Sequence, residues 1–128
     1  MAPARFTKLE LQVMEALWTE GPLAVRQVQE RFPEKKRPAY TTIQTVLCRL
    51  ETKKAVRRTR KIGNAHIFEA TTSRAATRGR LIDEVIGLIG GRVEPMMVHL
   101  IETGKLTIDD VRRAERLIEE HQRKEKGP

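Results

Sequence analysis

The stretch YTTIQTVLCRL, residues 40–50, decides the fold because it combines an apolar helix stripe with an unusual polar face. The apolar residues recur at the spacing of a helix that buries one side. They are Ile43, Val46, Leu47 and Leu50. The other positions carry mostly threonine, glutamine and arginine, although threonine is a mediocre helix former. A face that only had to be soluble would use other residues, so this face is predicted to contact a partner.

Two further helices are predicted before this segment. Thr7 and Glu10 fit a capping box, which marks the start of the first helix. A short extended link over residues 23–25 leads to the second helix, which ends at Pro33. After a polar loop, the third helix runs over residues 40–53.

The residues after the third helix change to the pattern of strands. Residues 55–61 and 65–70 flank Ile62-Gly63-Asn64, which is a turn signal. The sequence therefore predicts a basic two-stranded hairpin, which we call the wing.

Positive charge is concentrated in the first part of the chain, whose net charge is +8 overall. Residues 1–70 hold 14 Lys/Arg against 7 Asp/Glu, whereas residues 71–128 hold 11 against 10. Clustered positive charge indicates a polyanionic partner, usually nucleic acid. The alternative is a solvated charged loop.

Three helices followed by a basic hairpin form the pattern of a winged helix-turn-helix, whose third helix lies in the major groove. Threonine offers a hydroxyl and a methyl group, glutamine can pair with adenine, and arginine can reach guanine or phosphate. We call the polar side of this helix the reading face. It comprises Tyr40, Thr41, Thr42, Gln44, Thr45 and Arg49. The alternatives are that Thr41 or Thr42 caps the helix, that Tyr40 packs into the core, and that the rest is neutral surface.

The remaining residues form three aliphatic helical segments without any aromatic residue. The segments cover about 73–89 and 94–103, and the last begins at Thr107 as N-cap and ends in a frayed tail from about residue 122. A region this short is marginal at burying a core alone, so we expect two copies to associate about a twofold axis. The alternative is packing onto the N-terminal domain within one chain.

The apolar side chains predicted to form this dimer interface recur at helical spacing. They are Leu81, Ile82, Val85, Ile86, Ile89, Met97, Leu100, Ile101, Val111, Leu117 and Ile118.

The predicted fold class is mainly α, with a winged-helix DNA-binding domain over residues 1–71 and a helical dimerisation domain over residues 72–128. No apolar run approaches the length of a membrane span, and the N-terminus lacks the apolar core of a secretory signal. We therefore expect a cytoplasmic protein without a membrane partner. The single cysteine, Cys48, excludes an internal disulfide and is predicted to be a small core residue.

Three motifs resemble the penicillinase-repressor family of bacterial transcription regulators. They are TKLELQVMEALWTEGPLAVRQV, AYTTIQTVLCRLETKKAVRR and HIFEA, at residues 7–28, 39–58 and 66–70. The resemblance implies a homodimeric winged-helix repressor that blocks transcription from a palindromic double-stranded DNA operator. It places base contacts on Thr41, Thr42, Thr45 and Arg49. It places DNA-backbone contacts on Tyr40, Lys53, Arg58, Arg60 and Lys61.

The chain departs from that family at three places. Lys54 takes a position that is usually glycine, so a left-handed helix end is less comfortable there. Antibiotic-responsive members are cut by a membrane sensor protease at an Asn-Phe bond, and the matching place here is His99-Leu100. Copper-responsive members use a cysteine-rich C-terminal motif, which this chain lacks.

Three other functions are alternatives to DNA binding on the sequence alone. His66, His99 and His121 lie in different segments without ligand spacing and no catalytic set stands out, so we expect no enzyme, bound metal or cofactor. A metal or redox sensor could use Met96, Met97 and His99, although such methionines usually fill a core. A winged helix can also bind RNA or protein.

Overall fold

The structure, a computed structural model, describes residues 6–127, and its elements follow the predicted order. The helices are α1 (Lys8–Glu20), α2 (Val25–Glu30), α3 (Tyr40–Thr52), α4 (Arg74–Leu88), α5 (Glu94–Glu102) and α6 (Ile108–Lys126), with a 3₁₀ turn at Glu34–Lys36. The strands are β1 (Leu23–Ala24), β2 (Val56–Ile62) and β3 (Ala65–Ala70). The predicted fold class, mainly α with a winged helix-turn-helix, is confirmed.

The chain divides between Leu81 and Ile82 into two compact units, and the division falls inside α4. The domain boundary predicted at residue 71 stays a prediction. None of the helices within residues 6–127 is long and apolar enough to cross a bilayer.

The first unit is built around the apolar stripe of α3. Ile43, Leu47 and Leu50 have no exposed surface, and Val46 is 4% exposed. Helices α1 and α2 and the wing pack around them with Val13, Met14, Leu17, Val28, Val56 and Phe68. Because each enclosed aliphatic side chain contributes about 1.5–3 kcal/mol, this stripe fixes the rotation of α3 about its axis. The polar side of the helix is thereby held outward.

The predicted extended link contains a strand that the sequence did not indicate. Leu23 pairs with Phe68, and Ala24 pairs with Ile67, so the sheet order is β1-β3-β2. A strand of two residues is too short to show the alternation by which strands are recognised. It makes β3 the central strand and joins the wing to the segment before α2.

The helix α1 begins as predicted, with Thr7 as N-cap and Glu10 completing a capping box. The helix α3 and the strand β2 are joined by a left-handed turn at Lys54, whose φ is 64°. The Ala55 N–H donates to the Leu50 carbonyl at 2.9 Å. A left-handed helix end therefore forms at this position although the residue is a lysine and not a glycine.

The second unit exposes most of its apolar side chains. Its helices stop at the predicted glycines, which have positive φ: Gly90, Gly91 and Gly104. No residue between 82 and 127 is buried. A single copy of this unit therefore has no enclosed core within its described residues.

The helix α6 continues to Lys126, which differs from the frayed tail predicted from about residue 122. Thr107 is its N-cap, as predicted. The last turn carries Arg123, Lys124 and Lys126, and positive side chains there stabilise the negative end of the helix dipole. Those charges explain why the helix extends through a segment whose composition suggested fraying.

Candidate nucleic-acid interface

The reading face lies on the outside of α3, opposite its enclosed stripe. All six of its side chains are exposed: Tyr40, Thr41, Thr42, Gln44, Thr45 and Arg49. Tyr40 is 40% exposed, and its ring centroid lies 6.0 Å from the Arg26 guanidinium carbon, so it does not pack into the core. The structure thus brings the predicted residues together on one surface.

The N-terminus of α3 has no side-chain cap. Its N-cap residue is Ala39, so the alternative that Thr41 or Thr42 caps the helix is excluded. An uncapped helix N-terminus presents backbone N–H groups and the positive end of the helix dipole to an anion.

The Thr45 hydroxyl is directed back into its own helix. It donates to the Thr41 carbonyl at 2.9 Å. This common arrangement of helical threonine uses the one hydroxyl donor. Thr45 therefore presents its methyl group and an acceptor oxygen to a partner, but no free donor.

Cys48 is exposed, so the prediction that it is a core residue is wrong. Its sulfur lies 3.8 Å from the Arg58 Nη2 atom. Cys48 follows Gln44 by four residues, and helical side chains four apart share a face. That spacing could have placed Cys48 beside the reading face from the sequence.

The basic side chains of the wing and α3 fall into two groups. Arg57 is paired with Glu69 at 2.5 Å, and Arg58 is paired with Glu51 at 3.1 Å. Within residues 6–127, Arg49, Arg60 and Lys61 have no ion pair, and all three side chains are exposed. These unpaired cations are the ones whose charge is fully available to an anionic partner.

A bulge in β2 separates Arg58 from Arg60. Arg58 lies opposite Phe68 in the register, whereas Arg60 lies opposite Ile67, so Thr59 is the extra residue. Because Ile67 and Phe68 are consecutive in a strand, their side chains point to opposite faces of the sheet. Arg58 and Arg60 therefore also lie on opposite faces, although a regular strand would place them on the same one.

Lys53, predicted to contact the DNA backbone, is bound by a buried carboxylate. Its Nζ atom lies 2.8 and 2.9 Å from the two carboxylate oxygens of Glu10, which is 1% exposed. Burial raises the pKa of the Glu10 carboxyl, but hydrogen bonds from Lys53 and from the Thr7 N–H outweigh it and leave the pKa lowered. The structure thus gives Lys53 a structural partner that the sequence analysis missed.

A signal for this pair was present in the sequence. Glu10, Val13, Met14 and Leu17 follow the helical spacing i, i+3, i+4, i+7. A carboxylate on the buried stripe of a helix requires a partner. The identity of that partner, 43 residues away, could not be read from local spacing.

The residues predicted to form a dimer interface are largely solvent-accessible in one copy. Ile82, Val85, Ile89, Met97, Ile101, Val111, Leu117 and Ile118 are 39–64% exposed. Leu81, Ile86 and Leu100 are intermediate.

The His99-Leu100 bond lies inside α5, with His99 exposed and Leu100 half-buried. Met96 and Met97, the other ligands of the metal-sensing alternative, lie on the same helix. Among residues 6–127, no three His, Cys, Asp or Glu side chains are grouped so that they could hold a metal ion.

Comparison with known proteins gives concordant results. The penicillinase repressor family matches residues 6–120. The transcriptional regulator BlaI of Mycobacterium tuberculosis, from strains CDC 1551 and H37Rv, is 34% identical over 114 residues, which cover 86% of this chain and 82% of BlaI. A solved structure of a cysteine-to-serine mutant of MarR from E. coli aligns with a TM-score of 0.53 at 18% identity. That alignment covers 91% of this chain and 78% of MarR, and it supports the fold alone.

Proposed function

Because this chain belongs to the penicillinase repressor family and is a DNA-binding transcriptional repressor rather than an enzyme, we propose that it acts in the cytoplasm as a homodimer on a palindromic operator. Occupation of the operator then blocks transcription of the adjacent genes. The family resemblance stated from the three sequence motifs is confirmed.

One observation carries the proposed mode of DNA reading. The apolar stripe of α3 is enclosed, so the reading face is held outward on a helix that cannot rotate. Thr41, Thr42, Gln44, Thr45 and Arg49 then contact base edges in the major groove.

Three positively charged or polarised groups supply contacts to phosphate. The unpaired side chains of Arg60 and Lys61 lie on the wing, and the uncapped N-terminus of α3 lies beside Tyr40. Phosphate contacts fix the register of a protein on the duplex without reading sequence.

Homodimerisation is supported by the second unit. None of its residues from 82 to 127 is buried in a single copy, and its exposed side chains include many large aliphatic ones. Monomeric soluble proteins rarely expose apolar patches on this scale. A twofold dimer would place two α3 helices on half-sites about one helical turn, or a multiple of it, apart.

The proposal is tested with duplexes selected by the protein from a random library. Arg49→Ala should lower affinity for the selected duplex by about 1–3 kcal/mol and affinity for random DNA much less. Arg60→Ala should weaken binding to both alike and reduce the slope of log K against log salt by about 0.9. Selection of no common sequence, or equal loss on both duplexes for Arg49→Ala, would refute base reading by α3.

We also propose that a membrane sensor protease induces the regulated genes by cleaving this repressor. The bond that corresponds in position is His99-Leu100, which lies within α5. Proteases bind substrates in extended form, so cleavage there requires local unwinding of the helix. Coexpression with a sensor protease, followed by mass spectrometry of the fragments, tests it, and an uncut chain argues against it.

A further inference from the structure

We propose that Arg58 is a positioning residue that sets the wing against the recognition helix, rather than a phosphate contact. This inference rests on the proposed function. It assigns Glu51 and Arg58 together to one task, which is to hold the wing at the distance from α3 that the operator requires.

Arg58 contacts two elements besides its own strand. Its Nε atom lies 3.3 and 3.1 Å from the two carboxylate oxygens of Glu51, in the last turn of α3. Its guanidinium carbon lies 5.2 Å from the ring centroid of Phe68, which is 3% exposed and belongs to the core. A planar guanidinium can lie face to face on a ring while its edge binds a carboxylate, and the compact ammonium of lysine does not reproduce this planar geometry.

The β2 bulge directs Arg58 to this position. Arg58 shares a sheet face with Phe68, and the extra residue Thr59 turns Arg60 to the other face. The bulge therefore places Arg58 and Arg60 on different faces of the sheet, whereas a regular strand would have placed both on one face. One arginine is bound to α3, and the next is free to meet an anion.

The charge of Arg58 is already compensated by Glu51. Its side chain is 38% exposed, and that of Glu51 is 37% exposed. A phosphate that approached Arg58 would also approach the Glu51 carboxylate, so the pair would release little counterion on binding. Arg60 has no ion pair within residues 6–127, so it should release counterion when it binds a phosphate.

Replacing Glu51 with glutamine gives opposite predictions for the two roles of Arg58. If Arg58 contacts phosphate, Glu51→Gln removes a competing anion and should tighten binding to the selected duplex. If Arg58 positions the wing, the same change should weaken binding to the selected duplex by roughly threefold to tenfold, because it uncouples the wing from α3. Binding to random DNA should then be unchanged or slightly tighter.

Salt dependence separates the roles independently. We expect Arg58→Ala to lower affinity for the selected duplex while leaving the slope of log K against log salt as in the wild type. Arg60→Ala, as the matched control on the same strand, should reduce that slope by about 0.9. Arg58→Lys should fail to restore affinity, because it keeps the charge but loses the planar stack on Phe68.

The full-length variants are compared by fluorescence anisotropy, with thermal melting to show that each is folded. Tighter operator binding by Glu51→Gln, a reduced salt slope in Arg58→Ala, or full rescue by Arg58→Lys would each overturn the inference. Failure of the proposed function would give a different result. The wild-type protein would then bind the selected duplex and random DNA equally well, and Arg49→Ala would bind both as the wild type does.

Discussion

At the scale of single residues, the exposed positions of α3 were predictable but their hydrogen bonds were not. Spacing placed Thr45 on the reading face, and the structure adds that its hydroxyl donates to the Thr41 carbonyl. A rotamer choice of this kind depends on backbone geometry that a sequence pattern does not contain. It determines which chemical group Thr45 presents on the reading face.

For Thr45, we expect the methyl group and not the hydroxyl to matter. Thr45→Val keeps the methyl group and should bind the selected duplex about as well as the wild type. Thr45→Ser loses it and should bind about fourfold more weakly, since one buried methyl is worth about 0.8 kcal/mol. If the Thr45 methyl group packs on the C5 methyl group of a thymine, replacing that thymine by deoxyuridine should weaken the wild type similarly but not Thr45→Ser. If Thr45→Val binds as poorly as Thr45→Ser, the methyl assignment fails.

Lys54 is the non-glycine residue with positive φ among residues 6–127. A left-handed conformation costs a side-chain-bearing residue roughly 1–2 kcal/mol, and a glycine at this position would relieve that strain. The greater conformational entropy of glycine in the unfolded chain offsets part of this gain in stability. Lys54→Gly should therefore raise the free energy of unfolding by about 0.5–1 kcal/mol, measured by urea denaturation.

The matched control for this position is Lys54→Ala. It removes the same side chain but keeps a Cβ, so it should leave stability nearly unchanged. Equal stabilities of the glycine and alanine variants would show that the turn at Lys54 is not strained.

At the scale of elements, local signals located the helices and the wing but not the links between them. The Thr7 capping box and the glycine stops were visible in the sequence because they act over a few residues. Strand β1 was missed because its pairing with β3 spans more than forty residues. The contact of Lys53 with Glu10, which ties α3 to α1, was missed for the same reason.

The Glu10–Lys53 contact should make stability depend on acid pH. The pKa of Glu10 is lowered in the folded protein, so its contribution is present above the unfolded value of about 4.5 and is lost as pH falls through the folded value. Near neutral pH, Glu10→Gln should cost about 1.5–3 kcal/mol of unfolding free energy, the usual range for a hydrogen bond to a charged group. Below the folded pKa, the variant and the wild type should become similar.

Urea denaturation at a series of pH values from 6 to 3 measures this difference. Glu30→Gln is the control, because within residues 6–127 the exposed Glu30 carboxylate has no ion pair. A difference between Glu10→Gln and wild type that stays constant over the whole series would contradict the assignment.

At the scale of the whole molecule, the uneven charge and the missing aromatic residues predicted two regions with different tasks. The net positive charge lies in the region that carries α3 and the wing, and most of the exposed aliphatic side chains lie between residues 82 and 118. A sequence shows which side chains are apolar, but it does not show which of them remain uncovered in one copy. The structure supplies that information, and it makes the predicted dimer testable at chosen positions.

Ile118 is suited to such a test because it lies on α6, seven residues from Val111 and on the same helix face. It is 58% exposed in one copy, so a carboxylate there does not disturb the fold of that copy. In a dimer, the carboxylate would be buried against the partner without a counterion, which is costly. We therefore expect Ile118→Asp to sediment as a monomer, and Ile118→Leu to sediment as a dimer. Loss of the second half-site contact should lower operator affinity of Ile118→Asp by at least about 100-fold, whereas binding to a single half-site should be retained. A dimeric Ile118→Asp protein with unchanged operator affinity would show that this face of α6 does not form the interface.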